Sequence, residues 1–124
     1  MPTLYTYAKC ATCRAATAFL KRRGVSFTEK PIREQPPSLA ELRAMLAHYR
    51  EVRRLFNTSG KDYRELRIGA KLAQLTDAQA LALLAGNGNL VKRPFVPLPG
   101  GGVVGFEEEE WERRVVRAAA PRAR

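Results

Sequence analysis

The chain opens on Thr3-Leu4-Tyr5-Thr6-Tyr7, an alternating run rich in β-formers that predicts a first strand. Ala8-Lys9 turns the chain. From Cys13 to Arg23, apolar Ala16, Phe19 and Leu20 recur at helical spacing, and Gly24 fits the position just past a helix end. Residues 25–31 alternate again through Val25 and Phe27 and predict a second strand. A strand, a helix and a strand within about 30 residues imply a parallel pair with a right-handed crossover.

Gln35-Pro36-Pro37-Ser38 then makes a turn, and Ser38 with Glu41 forms a capping box ahead of Leu39, Leu42, Met45 and Leu46. Residues 50–60 begin helically and end in the polar loop Asn57-Thr58-Ser59-Gly60. A short helix is predicted over 63–72. Thr76 with Gln79 forms a second capping box that opens a helix over 78–85, which Gly86-Asn87-Gly88-Asn89 stops. Residues 38–86 thus read as a helical insert.

Phe95-Val96-Pro97-Leu98 and Val103-Val104-Gly105-Phe106 flank Pro99-Gly100-Gly101-Gly102 and predict a β-hairpin. Glu107 to Glu110 open a last helix carrying Trp111, Val115 and Val116. Four glutamates suit a helix N-terminus, where the dipole favours negative charge. The order β-α-β, helices, β-β-α predicts an α/β, thioredoxin/glutaredoxin-like sheet with a helical insertion between its halves.

The chain's 124 residues suffice for a core without staples, and its 45% apolar content is ordinary for a globular protein. Residues 1–118 are expected to form one domain, and 119–124 a disordered basic tail. No apolar run approaches the ~20 residues of a membrane span, and the first residues are too polar for a signal peptide. A cytoplasmic protein with no membrane partner is expected. The net charge of +10 attracts polyanions. Its arginines are scattered along helices, however, which reads as solvated faces, and no direct nucleic-acid partner is expected.

The two cysteines, Cys10 and Cys13, change the picture most. In a cytosolic chain this spacing reads as redox chemistry, as half of a metal site, or as two small apolar residues near a helix start. Zinc needs two further ligands, and His48 is the one histidine, so no metal is expected. The thiolate is the reactive form of cysteine. Cys10, after a strand and before a helix, lies where unpaired backbone N–H groups and the helix dipole favour negative charge. Lys9 and Arg14 add positive charge beside it. Cys10 is therefore the candidate nucleophile, and Cys13, one turn into the helix, the candidate resolving thiol.

The same surroundings attract an oxyanion. Arg93 is the candidate to fold over it, because Pro94 can be cis and turn the chain toward the motif. The competing reading is a surface charge ahead of an edge strand. A phosphatase loop, with arginine six residues after the cysteine, is excluded by Ala16.

At this point the chain resembles the arsenate reductase (ArsC) and Spx family of thioredoxin-fold proteins. The residues that carry the resemblance begin with Leu4-Tyr5 before Cys10-Ala11-Thr12-Cys13-Arg14, then Pro36-Pro37-Ser38, then Leu55 to Gly60 with Tyr63-Arg64-Glu65-Leu66. Leu83-Leu84, Lys92-Arg93-Pro94, and Gly105-Phe106 before Glu108 and Trp111 complete the set. The resemblance implies a thiol-dependent arsenate reductase in which Cys10 attacks arsenate and a thiol donor completes the reduction. That donor would be glutathione with glutaredoxin, or thioredoxin, and no bound cofactor is implied.

Of the three arginines that hold the oxyanion in such enzymes, Arg93 matches one, and the other two positions fall at Asn57 and Val103. Asn57 joins Lys9, Arg14 and Arg93 as an oxyanion candidate. Arg53, Arg54, Arg64 and Arg67 are close enough in sequence to substitute for the rest. The resemblance also implies an alternative, an Spx-like regulator. There Cys10 and Cys13 form a redox switch and the partner is the C-terminal domain of the RNA polymerase α subunit. The glycine on which that contact depends would fall near Glu51-Val52, where this chain has none.

Overall fold

Alternation along three short strands divides the molecule into two layers. A computed structural model describes residues 1–119. Strands β1 (Thr3–Thr6), β2 (Thr28–Pro31), β3 (Phe95–Leu98) and β4 (Gly101–Val104) form one sheet in the order β2-β1-β3-β4. β1 and β2 are parallel, with Thr3 opposite Thr28, while β3 is antiparallel to both β1 and β4. Successive side chains leave opposite faces of a strand. Leu4, Val96 and Val103 pack with Ala16, Phe19, Leu20, Trp111 and Val115 on one face. Tyr5, Phe95 and Val104 pack with Leu42, Met45, Leu55 and Leu84 on the other.

The first face is covered by α1 (Ala11–Arg22) and by the closing helical stretch α6 (Glu108–Trp111), a π-helical turn (Glu112–Val116) and α7 (Arg117–Ala119). The other face carries α2 (Leu39–Tyr49), α3 (Lys61–Glu65), α4 (Ile68–Lys71) and α5 (Asp77–Gly86), joined by short 3₁₀ turns. Both expected capping boxes form. Ser38 Oγ accepts from the Glu41 N–H at 3.1 Å, and Thr76 Oγ1 accepts from the Gln79 N–H at 3.1 Å. The sheet with its helices is the α/β, thioredoxin-like architecture expected from the element order.

Four boundaries differ from the sequence reading, each for a local reason. β2 begins at Thr28, because Val25 and Phe27 turn into the first core face before pairing starts. α1 begins at Ala11, two residues early, because Cys10 caps it. The helix expected over 63–72 is two helices, broken where Arg67 takes a left-handed φ of 54°. β4 runs Gly101–Val104, so the hairpin turn shrinks to Pro99-Gly100. Of the tail expected over 119–124, residues 120–124 lie outside the described residues.

That last shift has a packing cause. Gly102 sits at φ 124°, and a Cβ there would run into the Val96 carbonyl and lie 2.7 Å from Met45 Cε. Glycine lets β3 and β4 lie this close, and the neighbouring Gly101 lets α2 close onto β4, since a Cβ there would stand 2.9 Å from the Ala44 carbonyl. α2 also seals the outer edge of the strand, where the Val104 N–H donates to Tyr49 Oη at 3.2 Å. An open strand edge is a template for unwanted pairing, and a side-chain acceptor removes one donor from it.

Candidate active site

Cys10 is the N-cap of α1. Its backbone is extended (φ −90°, ψ 116°), its own N–H donates to the Tyr7 carbonyl at 3.0 Å, and its Sγ accepts from the Cys13 N–H at 3.3 Å. A capping position normally holds Ser, Thr, Asp or Asn, whose oxygen takes one of the helix's unpaired donors. Here sulfur does that work. No acidic residue stands in the first turn of α1, so no side-chain anion competes for the helix start.

Cys13 is placed differently. It is 2% exposed, on the face of α1 that meets the sheet, and burial pushes its thiol up to about 12. The Tyr7 backbone and the Arg93 guanidinium pull the other way without reversing that. The two sulfurs of one motif thus have opposite surroundings.

Cys10 opens into a cleft of about 640 Å³ whose wall includes Arg54, Asn57, Lys92 and Arg93. Two carboxylates also border it, and both are engaged. Glu107 caps α6, its oxygens accepting from the Glu109 and Glu110 N–H groups at 2.9 and 3.0 Å. Glu110 accepts from Tyr49 Oη at 3.1 Å and pairs with Arg114 at 3.4 Å. Arg54 lies over the Tyr49 ring at 4.4 Å. Lys92 runs across Gly105, where a Cβ would stand 3.1 Å from Lys92 Cε.

Arg93 is held by the backbone. Its Nε donates to the Val91 carbonyl at 3.2 Å, and its Nη2 donates to the Gly88 and Asn89 carbonyls, each at 3.0 Å. Both Nη1 hydrogens lack a hydrogen-bond partner among the described residues. A guanidinium carries five N–H donors in a rigid fork, so this anchoring aims the remaining pair. Burial lowers the Arg93 pKa from its ordinary value, and the two cysteine sulfurs oppose that shift. The Arg93–Pro94 peptide is cis. The supporting turn stays close to the β2 end because Gly88 has no Cβ, which would collide with the Ile32 carbonyl.

The cleft therefore brings together Cys10, Asn57 and Arg93 from the sequence-derived candidates. Lys9 and Arg14 are not among its lining residues, and Arg14 Nη1 donates instead to the Ala8 carbonyl at 3.1 Å. Of the four nearby arginines, Arg54 lines the cleft. Arg64 turns to the Ser59 carbonyl at 2.7 Å. Lys92, Thr12 and Ser59 line it as well, and no spacing rule marks them. Thr12 is there because it follows Cys10 in α1, whereas Lys92 and Ser59 become neighbours of Cys10 only because the 3₁₀ turn Val52–Leu55, the Asn57 loop and the residues before β3 meet across a bridge between Phe56 and Val91. No helix among the described residues is long and apolar enough to cross a membrane.

Comparison with known proteins agrees with this fold. The uncharacterised protein YusI of Bacillus subtilis (strain 168) is 41% identical over 111 residues, covering 89% of this chain and 94% of its own. A possible arsenate reductase from Streptococcus mutans UA159 has a solved structure that superposes with a TM-score of 0.82 at 37% identity, covering 90% of this chain and 98% of its own. The global transcriptional regulator Spx 1 of Oceanobacillus iheyensis is 30% identical over 118 residues, 94% of this chain and 88% of its own. The ArsC family matches residues 5–114, a span that begins in β1, contains the capped cysteine and its cleft, and ends in the closing helix, so the chain belongs to the ArsC family.

Proposed function

We propose that the protein is a thiol-dependent reductase of arsenate or a similarly shaped oxyanion, with Cys10 as nucleophile. The observation that carries this reading is the placing of Cys10 Sγ. It caps a helix and opens into a cleft walled by Arg54, Lys92 and Arg93. Backbone N–H groups and guanidinium forks are the groups that bind tetrahedral oxyanions.

In the proposed reaction the Cys10 thiolate attacks As(V), and one arsenate oxygen leaves as water after protonation. A second thiolate then attacks the Cys10 sulfur. A disulfide forms, the S–As bond breaks, and arsenic keeps the electron pair and leaves as arsenite. Two thiols are oxidised and As(V) is reduced by two electrons. The second thiol is external in our reading, from glutathione with glutaredoxin or from thioredoxin, as a reducing cytoplasm would supply. Burial of Cys13 and its raised pKa favour this over Cys13 as the attacking group. Arg93 and Asn57 would hold the oxyanion, while Lys9 and Arg14 would act only through their charge.

The test is arsenite formation by the purified protein with arsenate and a glutathione–glutaredoxin or thioredoxin system. Wild type and Cys13→Ser should turn over, Cys10→Ser should not, and Arg93→Lys should need about tenfold more arsenate for half-saturation. Absence of arsenite with every donor would sink the proposal.

A second reading, a redox-switched transcriptional regulator that binds the RNA polymerase α subunit, has one observation in its favour. Cys10 Sγ lies 3.3 Å from the Cys13 backbone nitrogen, so the two cysteines are neighbours. Retention of the protein on the immobilised α C-terminal domain in one redox state would support it.

A further inference from the structure

Arg93 owes its direction to one short turn. Its three anchoring hydrogen bonds end on the carbonyls of Gly88, Asn89 and Val91, so the guanidinium is held only as firmly as the 3₁₀ turn Gly88–Leu90. A 3₁₀ turn has poor hydrogen-bond geometry of its own, and its supports decide where it sits.

One support is backbone. The Asn57 N–H donates to the Leu90 carbonyl at 2.7 Å, and Gly88 lies against the Ile32 carbonyl, which a Cβ would strike. The other is a single carboxylate. Asp62, half-buried on α3, accepts at Oδ2 from Asn87 Nδ2 at 3.0 Å and from Asn89 Nδ2 at 3.3 Å. These two asparagines flank Gly88, and Asn87 Oδ1 accepts from the Asn89 N–H at 3.0 Å. One carboxylate oxygen therefore grips the turn on both sides of a residue whose carbonyl receives Arg93 Nη2. Tyr63 fixes α3 in turn, being buried with its ring centroid 6.1 Å from that of Phe56.

Asp62 and Arg93 face one cavity of about 370 Å³, yet they form no ion pair among the described residues. A carboxylate paired directly with Arg93 would compete with any anion for the Nη1 donors. Acting through two amides, Asp62 fixes the turn and leaves those donors open. Binding groups need to be held within roughly 0.5 Å of their working geometry, which a bond network of this kind supplies.

We propose that Asp62 is a positioning residue for the oxyanion site: its carboxylate, through Asn87 and Asn89, sets the turn that aims the Arg93 guanidinium at the Cys10 cleft. The aiming of Arg93 stands on these bonds alone, whereas its consequence for arsenate rests on the reductase reading above. Charge and positioning have opposite consequences here. As a charge, Asp62 repels an oxyanion, and its removal would tighten binding. As a positioning group, its removal loosens binding.

Two measurements test this. Calorimetric titration with arsenate is done in the Cys10→Ser protein, which cannot react, and the Arg93 Nε–H signal is followed by ¹H–¹⁵N NMR in protein that keeps Cys10. Asp62→Ala should weaken arsenate binding about fivefold and shift the Arg93 signal. Asp62→Asn keeps an oxygen acceptor for the two amides but not the charge. It should bind arsenate at least as tightly as Cys10→Ser alone and leave the signal in place. Asn89→Ala cuts one of the two bonds and should fall between, and it carries the test if Asp62→Ala does not fold. With Arg93→Lys already present, Asp62→Ala should weaken binding no further. An Arg93 signal unmoved by Asp62→Ala and by Asn89→Ala would overturn the proposal. So would arsenate binding as tight as before in those variants, or a loss with Asp62→Asn as large as with Asp62→Ala. A shifted signal with no arsenate binding to any of the proteins would overturn the reductase reading and leave the positioning role standing.

Discussion

The Cys13 backbone N–H donates to Cys10 Sγ at 3.3 Å, so one residue of the motif caps the helix with its sulfur and the other supplies the capped donor. The two cysteines, three positions apart, thus sit in different surroundings. Cys10 stands outside the helix, half-exposed at the cleft. Cys13 stands inside it, with its thiol turned to the core.

Thiol labelling should see that division. With iodoacetamide at pH 8, the native protein should take one label per chain, on Cys10, and a second only after denaturation. Peptide mass mapping of the labelled protein reads the sites. Equal labelling of both cysteines in the folded protein would contradict the burial of Cys13.

The raised Cys13 pKa also links stability to pH. Its folded value of about 12 lies above the ordinary thiol range, so the fold favours the protonated form. The stability this contributes is complete below the unfolded value and is lost as pH rises through the folded one. Tyr5, raised to about 12 by burial and by its bond to Glu41, acts in the same sense at higher pH. Between pH 8 and pH 10.5, wild type should lose on the order of 2 kcal/mol more than Cys13→Ala. Urea unfolding at the two pH values measures the difference in slope.

Gly102 is the position where a small change should cost most. Alanine there must adopt φ 124° and place its Cβ against the Val96 carbonyl. A loss of about 3 kcal/mol or more is expected, from backbone strain together with the clash against β3. A urea midpoint for Gly102→Ala within experimental error of wild type would show that β3 and β4 do not need this approach.

Much of this architecture is readable without coordinates. Alternating Leu4-Tyr5, Phe95-Val96 and Val103-Val104 already separate the two core faces, because the strand period of two is a property of the backbone. Ser38 with Glu41 and Thr76 with Gln79 mark their helix starts, because a capping box is built from residues three apart. The misplaced boundaries lie where distant contacts overrule local preference. The Val96 carbonyl on β3 leaves no room for a Cβ at Gly102, and the Ala44 carbonyl on α2 crowds one at Gly101, so both glycines lie in β4 and not in the expected turn.

The site divides in the same way. Cys10 as candidate nucleophile follows from local order alone, since a strand, a turn and a helix start are contiguous in the chain and the cap geometry depends only on neighbours. What surrounds its sulfur does not follow. Lys9 and Arg14 are close to Cys10 in sequence, yet they do not line the cleft, and Arg14 turns back to the Ala8 carbonyl instead. Arg54 and Lys92 reach the cleft from segments some 40 and 80 residues downstream, brought together by the pairing of Phe56 with Val91. The sequence by itself determined the candidate nucleophile and the fold that presents it, because both depend on neighbouring residues. Only the tertiary structure decided which cations face that sulfur, because side chains meet there through sheet and helix packing that no local pattern encodes.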